Sequence, residues 1–206
     1  VQHRSGVPSY TDHDQFDWSR PPSGYSEALA LALERPADFR PGTKYRYSNT
    51  NYLLIGKILD SVLGYNHQRY IEEEILAPLG VRHTHGSLDE VESENVVLGY
   101  HRPYEADFKD VEFVSPGGSM VATAEDVGIF LRALNDGTLL SSSEQSIYSS
   151  IYESGHKGWV LGYQSIARYH DDLDAVVVQF VNTTGKDTEL TAMVVYGRVL
   201  RILRRP

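Results

Sequence analysis

From Thr50 to Leu63 the apolar residues Tyr52, Leu53, Ile55, Ile58, Leu59 and Val62 recur at helical spacing, and Gly64 follows as a left-handed stop. The pattern predicts a helix starting at Asn49 or Thr50. Ahead of it, residues 1–25 carry Pro8, Pro21, Pro22 and Gly24 and read as loop, while Ser26 caps a short helix over 27–34 that Pro36 ends. A third helix follows Asn66, with Tyr70, Ile71, Ile75 and Leu76 ahead of Pro78 and Gly80. Thr123 to Asp126 reads as a capping box with Asp in place of Glu, opening a helix striped by Val127, Phe130, Leu131 and Leu134 up to Gly137. Beyond residue 157 the pattern turns β-branched and aromatic. Runs at 159–161, 162–169 and 175–181, with Asp171-Asp172 between the last two, predict a hairpin. The final element, 187–203, is a helix expected to present Leu190, Met193, Val194 and Leu200 on one face. Arg198, Arg201, Arg204 and Arg205 crowd its C-terminal end, where the helix dipole favours cations; they read as solvated structure, not a binding patch.

Helices first and a hairpin plus helix last give an α+β fold class. At 206 residues the chain fits one domain, 1–206, mostly helical over 1–154 and completed by the hairpin and helix of 155–206. Hydrophobic residues at 41% and charged residues at 23% suit a globular protein, and no apolar run is long enough to span a bilayer. The formal net charge of -9 disfavours nucleic acid as a partner. With no cysteine, disulfides, thiolate metal sites and cysteine nucleophiles are excluded. The start, Val1 to Gly6, shows no signal-peptide pattern and no initiator Met, which fits a processed or partial chain.

Four stretches carry candidate chemistry. They are His3-Arg4-Ser5-Gly6-Val7-Pro8-Ser9-Tyr10, Arg40-Pro41-Gly42-Thr43 running to Tyr47-Ser48-Asn49-Thr50-Asn51-Tyr52, Pro116-Gly117-Gly118-Ser119 running to Asp126, and Gly155-His156-Lys157-Gly158-Trp159 running to Ser165. In this order they resemble the "HTSGIPSY", "PGT-x-x-x-YSN-x-x-Y", "aGGl-x-sTa-x-Dl" and "GHTGxxxGYxS" segments of the penicillin-binding protein and class C β-lactamase superfamily of serine hydrolases.

The resemblance implies a β-lactamase/DD-peptidase-like three-layer sandwich, present in part, and an acyl-enzyme mechanism without cofactor or metal. Substrates would be D-alanyl peptides, as for a D-Ala-D-Ala carboxypeptidase, or β-lactams or small esters; a relative that keeps the cleft but has lost catalysis is the other reading. A serine hydroxyl is a weak nucleophile at neutral pH, so such chemistry needs a base, a preorganised oxyanion site and a group that orients the scissile bond. By the resemblance Tyr47 is the base, Asn49 orients the substrate carbonyl and His156 adds a hydrogen-bonding or cationic group. Lys157, Gly158 and Trp159 line the substrate, with the Trp159 N–H as an oxyanion donor. A tyrosine base requires nearby cations to bring its pKa down from about 10. Taken alone, Asn49 also fits a plain helix N-cap and His156 a turn histidine.

Two departures stand out. The middle residue of the fourth stretch is Lys157 where the family has a small hydroxyl residue. The family's Ser-x-x-Lys nucleophile motif is matched only by Ser154-Gly155-His156-Lys157, at a strand entrance, whereas the working version lies on one helix face. The nucleophile is therefore expected upstream of Val1, and the chain alone is expected to be inactive. The segment between Leu139 and His156 is shorter than expected for the family. His83-Thr84-His85 with Asp89 reads as a polar turn, not a metal site. The exposed hairpin edge predicts further chain or self-association, and family habit suggests an extracytoplasmic location.

Overall fold

The computed structural model describes residues 2–103, 106–113, 117 and 120–205. Its helices are α1 (Tyr25–Leu33), α2 (Thr50–Leu63), α3 (His67–Tyr70, continued by a π-helical turn, Ile71–Leu76), α4 (Ala124–Asn135), α5 (Ser142–Ile151) and α6 (Thr188–Leu203). The strands are β1 (Thr84–His85), β2 (Tyr100–Arg102), β3 (Val121–Ala122), β4 (Gly155–Val160), β5 (Tyr163–His170), β6 (Ala175–Val181) and β7 (Thr183–Gly185), so the class is α+β as expected. Contacts divide the chain into two compact units. The first comprises residues 1–72, 85–91 and 111–121; the second comprises 73–84, 92–110 and 122–206.

In the first unit α1 packs on α2 around Tyr10, Ala28, Ala32 and Leu53, with Phe16, Tyr25, Leu29 and Leu31 against them. α1 starts at Tyr25, two residues earlier than the Ser26 cap predicted. Its cap is Gly24, and the Ser23 N–H and hydroxyl both donate to Glu27. The leading loop holds one 3₁₀ turn, Tyr10–Asp12, where only loop was expected. α2 runs as read and ends at Gly64, whose φ of 77° is the left-handed stop. It buries Thr50, Asn51, Leu53 and Gly56, while Ile58 and Val62 stay exposed.

In the second unit β4, β5 and β6 form an antiparallel sheet in that order, with Val160 opposite Tyr163 and His170 opposite Ala175. The predicted hairpin is β5–β6, and β4 joins it as a third strand that begins at Gly155, ahead of the expected position. α4 packs on β5 and β6, and α6 on β5 and β7. β2 pairs in parallel with β7, Tyr100 opposite Thr183.

Three expectations change here. Thr123 caps α4 by accepting from the Asp126 N–H, but Asp126 does not reciprocate. Its carboxylate accepts from the His83 N–H at 2.6 Å and the Thr84 hydroxyl at 3.0 Å, so the capping box is half a box. α6 buries Ala192 and Tyr196, while Leu190, Met193 and Val194 are exposed. Because Val195 and Val199 are apolar too, the helix is apolar nearly all round and its pattern does not choose a face. α5, not anticipated, opens with a complete capping box between Ser141 and Glu144. At the end of α6 Arg204 forms an ion pair at 2.6 Å with Asp172 in the β5–β6 turn, and that bond holds the Asp172 carboxyl below its ordinary range. Among the described residues no helix is long and apolar enough to cross a membrane.

Candidate active site

The predicted site residues fall into two groups, one in each unit. In the first unit the leading loop lies along the segment that enters α2. Gly42 N–H donates to the Arg4 carbonyl at 2.8 Å, Asp38 N–H to Gly6 at 2.9 Å and Arg46 N–H to His3 at 3.0 Å. Gly6 makes the close approach possible: a Cβ there would sit 2.0 Å from the Phe39 carbonyl oxygen, and its φ is +78°. Thr50, wholly buried, takes the Tyr10 N–H on its hydroxyl at 3.0 Å and donates to the Pro8 carbonyl at 2.7 Å. Ser9, also buried, accepts the Asn49 N–H at 3.0 Å.

Tyr47 and Asn49 are brought together in this cradle. The Tyr47 hydroxyl donates to Asn49 Oδ1 at 3.2 Å, and Asn49 Nδ2 donates to the Thr11 hydroxyl at 3.1 Å. Asn49 stands at the N-cap position of α2 but makes no side-chain capping bond. Its amide is spent on Tyr47 and Thr11, so the plain N-cap reading is set aside. The half-buried Tyr47 phenol is pushed above its ordinary pKa, chiefly by burial and then by the neighbouring Tyr52 and Tyr45. The resemblance asks for a cation that favours the phenolate, and the groups that set this phenol are two further tyrosines.

In the second unit His156, Lys157, Gly158 and Trp159 lie on β4, an outer strand of the three-stranded sheet. The His156 ring places Nδ1 2.5 Å from the Lys157 carbonyl oxygen. Lys157 is drawn toward α6, its ammonium 3.9 Å from the Glu189 carboxylate. Gly158 faces Ser165 across the ladder, where a Cβ would meet the Ser165 hydroxyl at 2.6 Å. Trp159 is 41% exposed and meets the His101 ring edge-on at 6.4 Å. A cavity of about 180 Å³ lies beside these residues, bounded by Lys157, Trp159, Ile166, Glu189 and Met193. Ser154 precedes an extended strand, so Ser154 and Lys157 are not successive turns of one helix face. Pro116, Gly118 and Ser119 of the third stretch lie outside the described residues. Gly117 is described, with the Tyr52 ring so near that a Cβ would come within 2.8 Å of it.

Residues that the motifs did not single out by role are His3, Ser9, Thr11, Thr50 and Asn51, which hold the Tyr47 segment. Their signal was present in the sequence, since His3, Ser9, Thr50 and Asn51 lie inside the two matching stretches.

The backbone belongs to the class of β-lactamase and penicillin-binding folds. It is similar to a D-amino acid amidase from Ochrobactrum anthropi SV3, with a TM-score of 0.81 at 23% identity over 98% of this chain and 76% of that one. It is also similar to a penicillin-binding protein from Bacillus halodurans, with a TM-score of 0.77 at 19% identity over 94% of this chain and 70% of that one. The family is shown directly: residues 1–155 match the profile described as Beta-lactamase, and the chain belongs to that family. Among curated relatives, a candidate D-alanyl-D-alanine carboxypeptidase of Escherichia coli K12 is 41% identical over 58 residues, 28% of this chain. That stretch is only 13% of the relative's own length.

Proposed function

We propose that the protein carrying this chain is a serine hydrolase that works through an acyl-enzyme, with D-alanyl peptides as first substrates and β-lactams or small esters next. The observation that carries the reading is the Tyr47–Asn49 pair, a phenol and an amide held 3.2 Å apart by a buried polar cradle. In this reading Tyr47 exchanges a proton with the nucleophile and leaving group, and Asn49 offers the Nδ2 hydrogen that Thr11 does not take to the substrate carbonyl. His156 adds a hydrogen bond from β4, and Gly158 with the Trp159 N–H borders the scissile bond. Lys157, drawn to Glu189, acts at the margin of the substrate's anionic end. Residues 1–206 belong to one β-lactamase-like domain. The location is extracytoplasmic, by analogy with the family.

The catalytic serine and lysine are not supplied by Ser154 and Lys157, which supports the expectation that the 206 residues alone leave nitrocefin intact. The test uses the full-length protein and a fluorescent penicillin. A covalent adduct is expected, and Tyr47→Phe is expected to lower its formation rate by about 10²–10⁴-fold without loss of fold. If the full-length protein forms no adduct and hydrolyses neither D-Ala-D-Ala peptides nor short esters, the enzyme reading fails. A second reading, a binding module without catalysis, is favoured by the raised Tyr47 phenol and would then stand.

A further inference from the structure

We propose that His3 is the positioning residue of Tyr47, a role that rests on the reading of Tyr47 as the base. His3 brackets three successive residues. Its carbonyl accepts the Arg46 N–H at 3.0 Å, its ring lies on the Tyr47 ring with centroids 4.3 Å apart at 31°, and its Nδ1 accepts the Ser48 N–H at 3.2 Å. One side chain and its own carbonyl thus fix the backbone on both sides of Tyr47 and the plane of the phenol between them.

The protonation state of His3 follows from its partners. The Ser48 N–H can only donate, so Nδ1 must offer a lone pair. Asn51 Nδ2 approaches the same nitrogen at 3.3 Å, and its orientation is set from behind. The Val7 N–H donates to the Ser5 hydroxyl at 3.1 Å, which leaves that hydroxyl to donate to Asn51 Oδ1 at 2.7 Å and turns Nδ2 toward His3. His3 is therefore the neutral imidazole with its proton on Nε2. It is buried, and Tyr45 and Tyr52 meet its ring edge-on at 6.1 and 5.6 Å, so Tyr45, Tyr47 and Tyr52 all face it among the described residues. Its backbone φ of +50°, sparsely populated for a residue with a side chain, is held by these bonds. An imidazole here fits better than an aliphatic side chain, because the position asks for an acceptor and a flat face at once.

The test separates those two properties and does not depend on turnover. In the full-length protein, long-range ¹⁵N spectra at pH 7 are expected to show His3 neutral and protonated at Nε2. An imidazolium, or a proton on Nδ1, would overturn the proposal without any variant being made. His3→Asn keeps an acceptor and tolerates the positive φ but removes the ring; His3→Phe keeps a flat face and removes the acceptor. In ¹³C-tyrosine spectra, with Tyr47 assigned by Tyr47→Phe, both variants are expected to move the Tyr47 ring signals, and His3→Asn, which uncovers the ring, is expected also to lower its phenol titration midpoint. Tyr163 serves as the internal reference that stays put. Unchanged Tyr47 signals and midpoint in a folded variant would sink the idea. In the full-length protein His3→Asn is expected to lower kcat about tenfold or more with KM within about threefold. Should the full-length protein prove inactive, the function fails and the spectra still decide the positioning.

Discussion

Around Tyr47 and Asn49 the polar atoms of residues 48–51 are answered by partners some forty residues away in the chain, His3, Ser9 and Thr11 among them, and His3, Ser9, Thr50 and Asn51 are buried. Along β4 residues His156, Lys157, Gly158 and Trp159 are exposed, ordered by the ladder to β5 with looser contacts to Glu189 and His101. The first region is set by side chains, the second by backbone. On the roles proposed above, a base has to be held within a fraction of an ångström, which a dense hydrogen-bonded setting provides. A strand that borders a substrate works through its N–H groups and its lack of bulk, for which the ladder and Gly158 suffice.

The contrast can be broken most forcefully at Thr50. Replacing Thr50 by Val keeps the shape but leaves the Tyr10 N–H and Pro8 carbonyl buried without their partner. The expected loss is about 2–3 kcal/mol, read as a lower urea midpoint at constant slope. A loss below about 0.5 kcal/mol would mean that the cradle is far looser than its bonds suggest.

A smaller effect is expected in acid, at the far end of α2. Burial pushes the Asp60 carboxyl up, but the His67 ring at 2.7 Å, the His67 N–H and the charges of His67 and Lys57 outweigh it, and the net shift is downward. A carboxyl depressed in the folded state stabilises it above the unfolded pKa of about 3.9, and that contribution disappears as pH falls through the depressed value. Wild type should therefore lose stability below about pH 4 more steeply than Asp60→Asn. Parallel midpoints for the two proteins between pH 6 and 3 would refute the coupling.

The smallest effect is expected on the β4 side. Lys157 and Glu189 are 50% and 66% exposed and 3.9 Å apart, so Glu189→Gln should change stability by no more than about 0.5 kcal/mol. A larger loss, measured by the same urea titration, would show that β4 depends on side chains after all.

The sequence pattern disclosed some elements and hid others for identifiable reasons. α2 was legible because its apolar spacing and Gly64 agree, and the β5–β6 hairpin because β-branched runs flank an Asp-Asp turn. α5 was passed over because Ser-Ser-Glu-Gln-Ser lacks an apolar stripe, although Ser141 and Glu144 already spelled its cap. The face of α6 was misread because nearly every side is apolar, and Ala192 and Tyr196 are chosen by packing on the sheet. Parallel pairing of β2 with β7 joins residues more than eighty positions apart, which no local pattern encodes. Of the site, Tyr47, Asn49 and the β4 residues came from motif resemblance. His3 lay in a matched stretch with no role, since its importance is a matter of what it touches.

The bonds that hold Tyr47 span long stretches of chain: 45 residues from His3 to Ser48, 42 from Pro8 to Thr50 and 40 from Tyr10 to Thr50. Closing a loop of that length costs roughly 3 kcal/mol of chain entropy before any of these contacts forms. Local helix formation in α2 therefore cannot by itself set the phenol in place; its setting appears only when the distant ends of the loop meet. High contact order of this kind makes the tyrosine's geometry one of the later events of folding, and a truncation that removes the first ten residues would leave α2 intact as a helix but Tyr47 without an address.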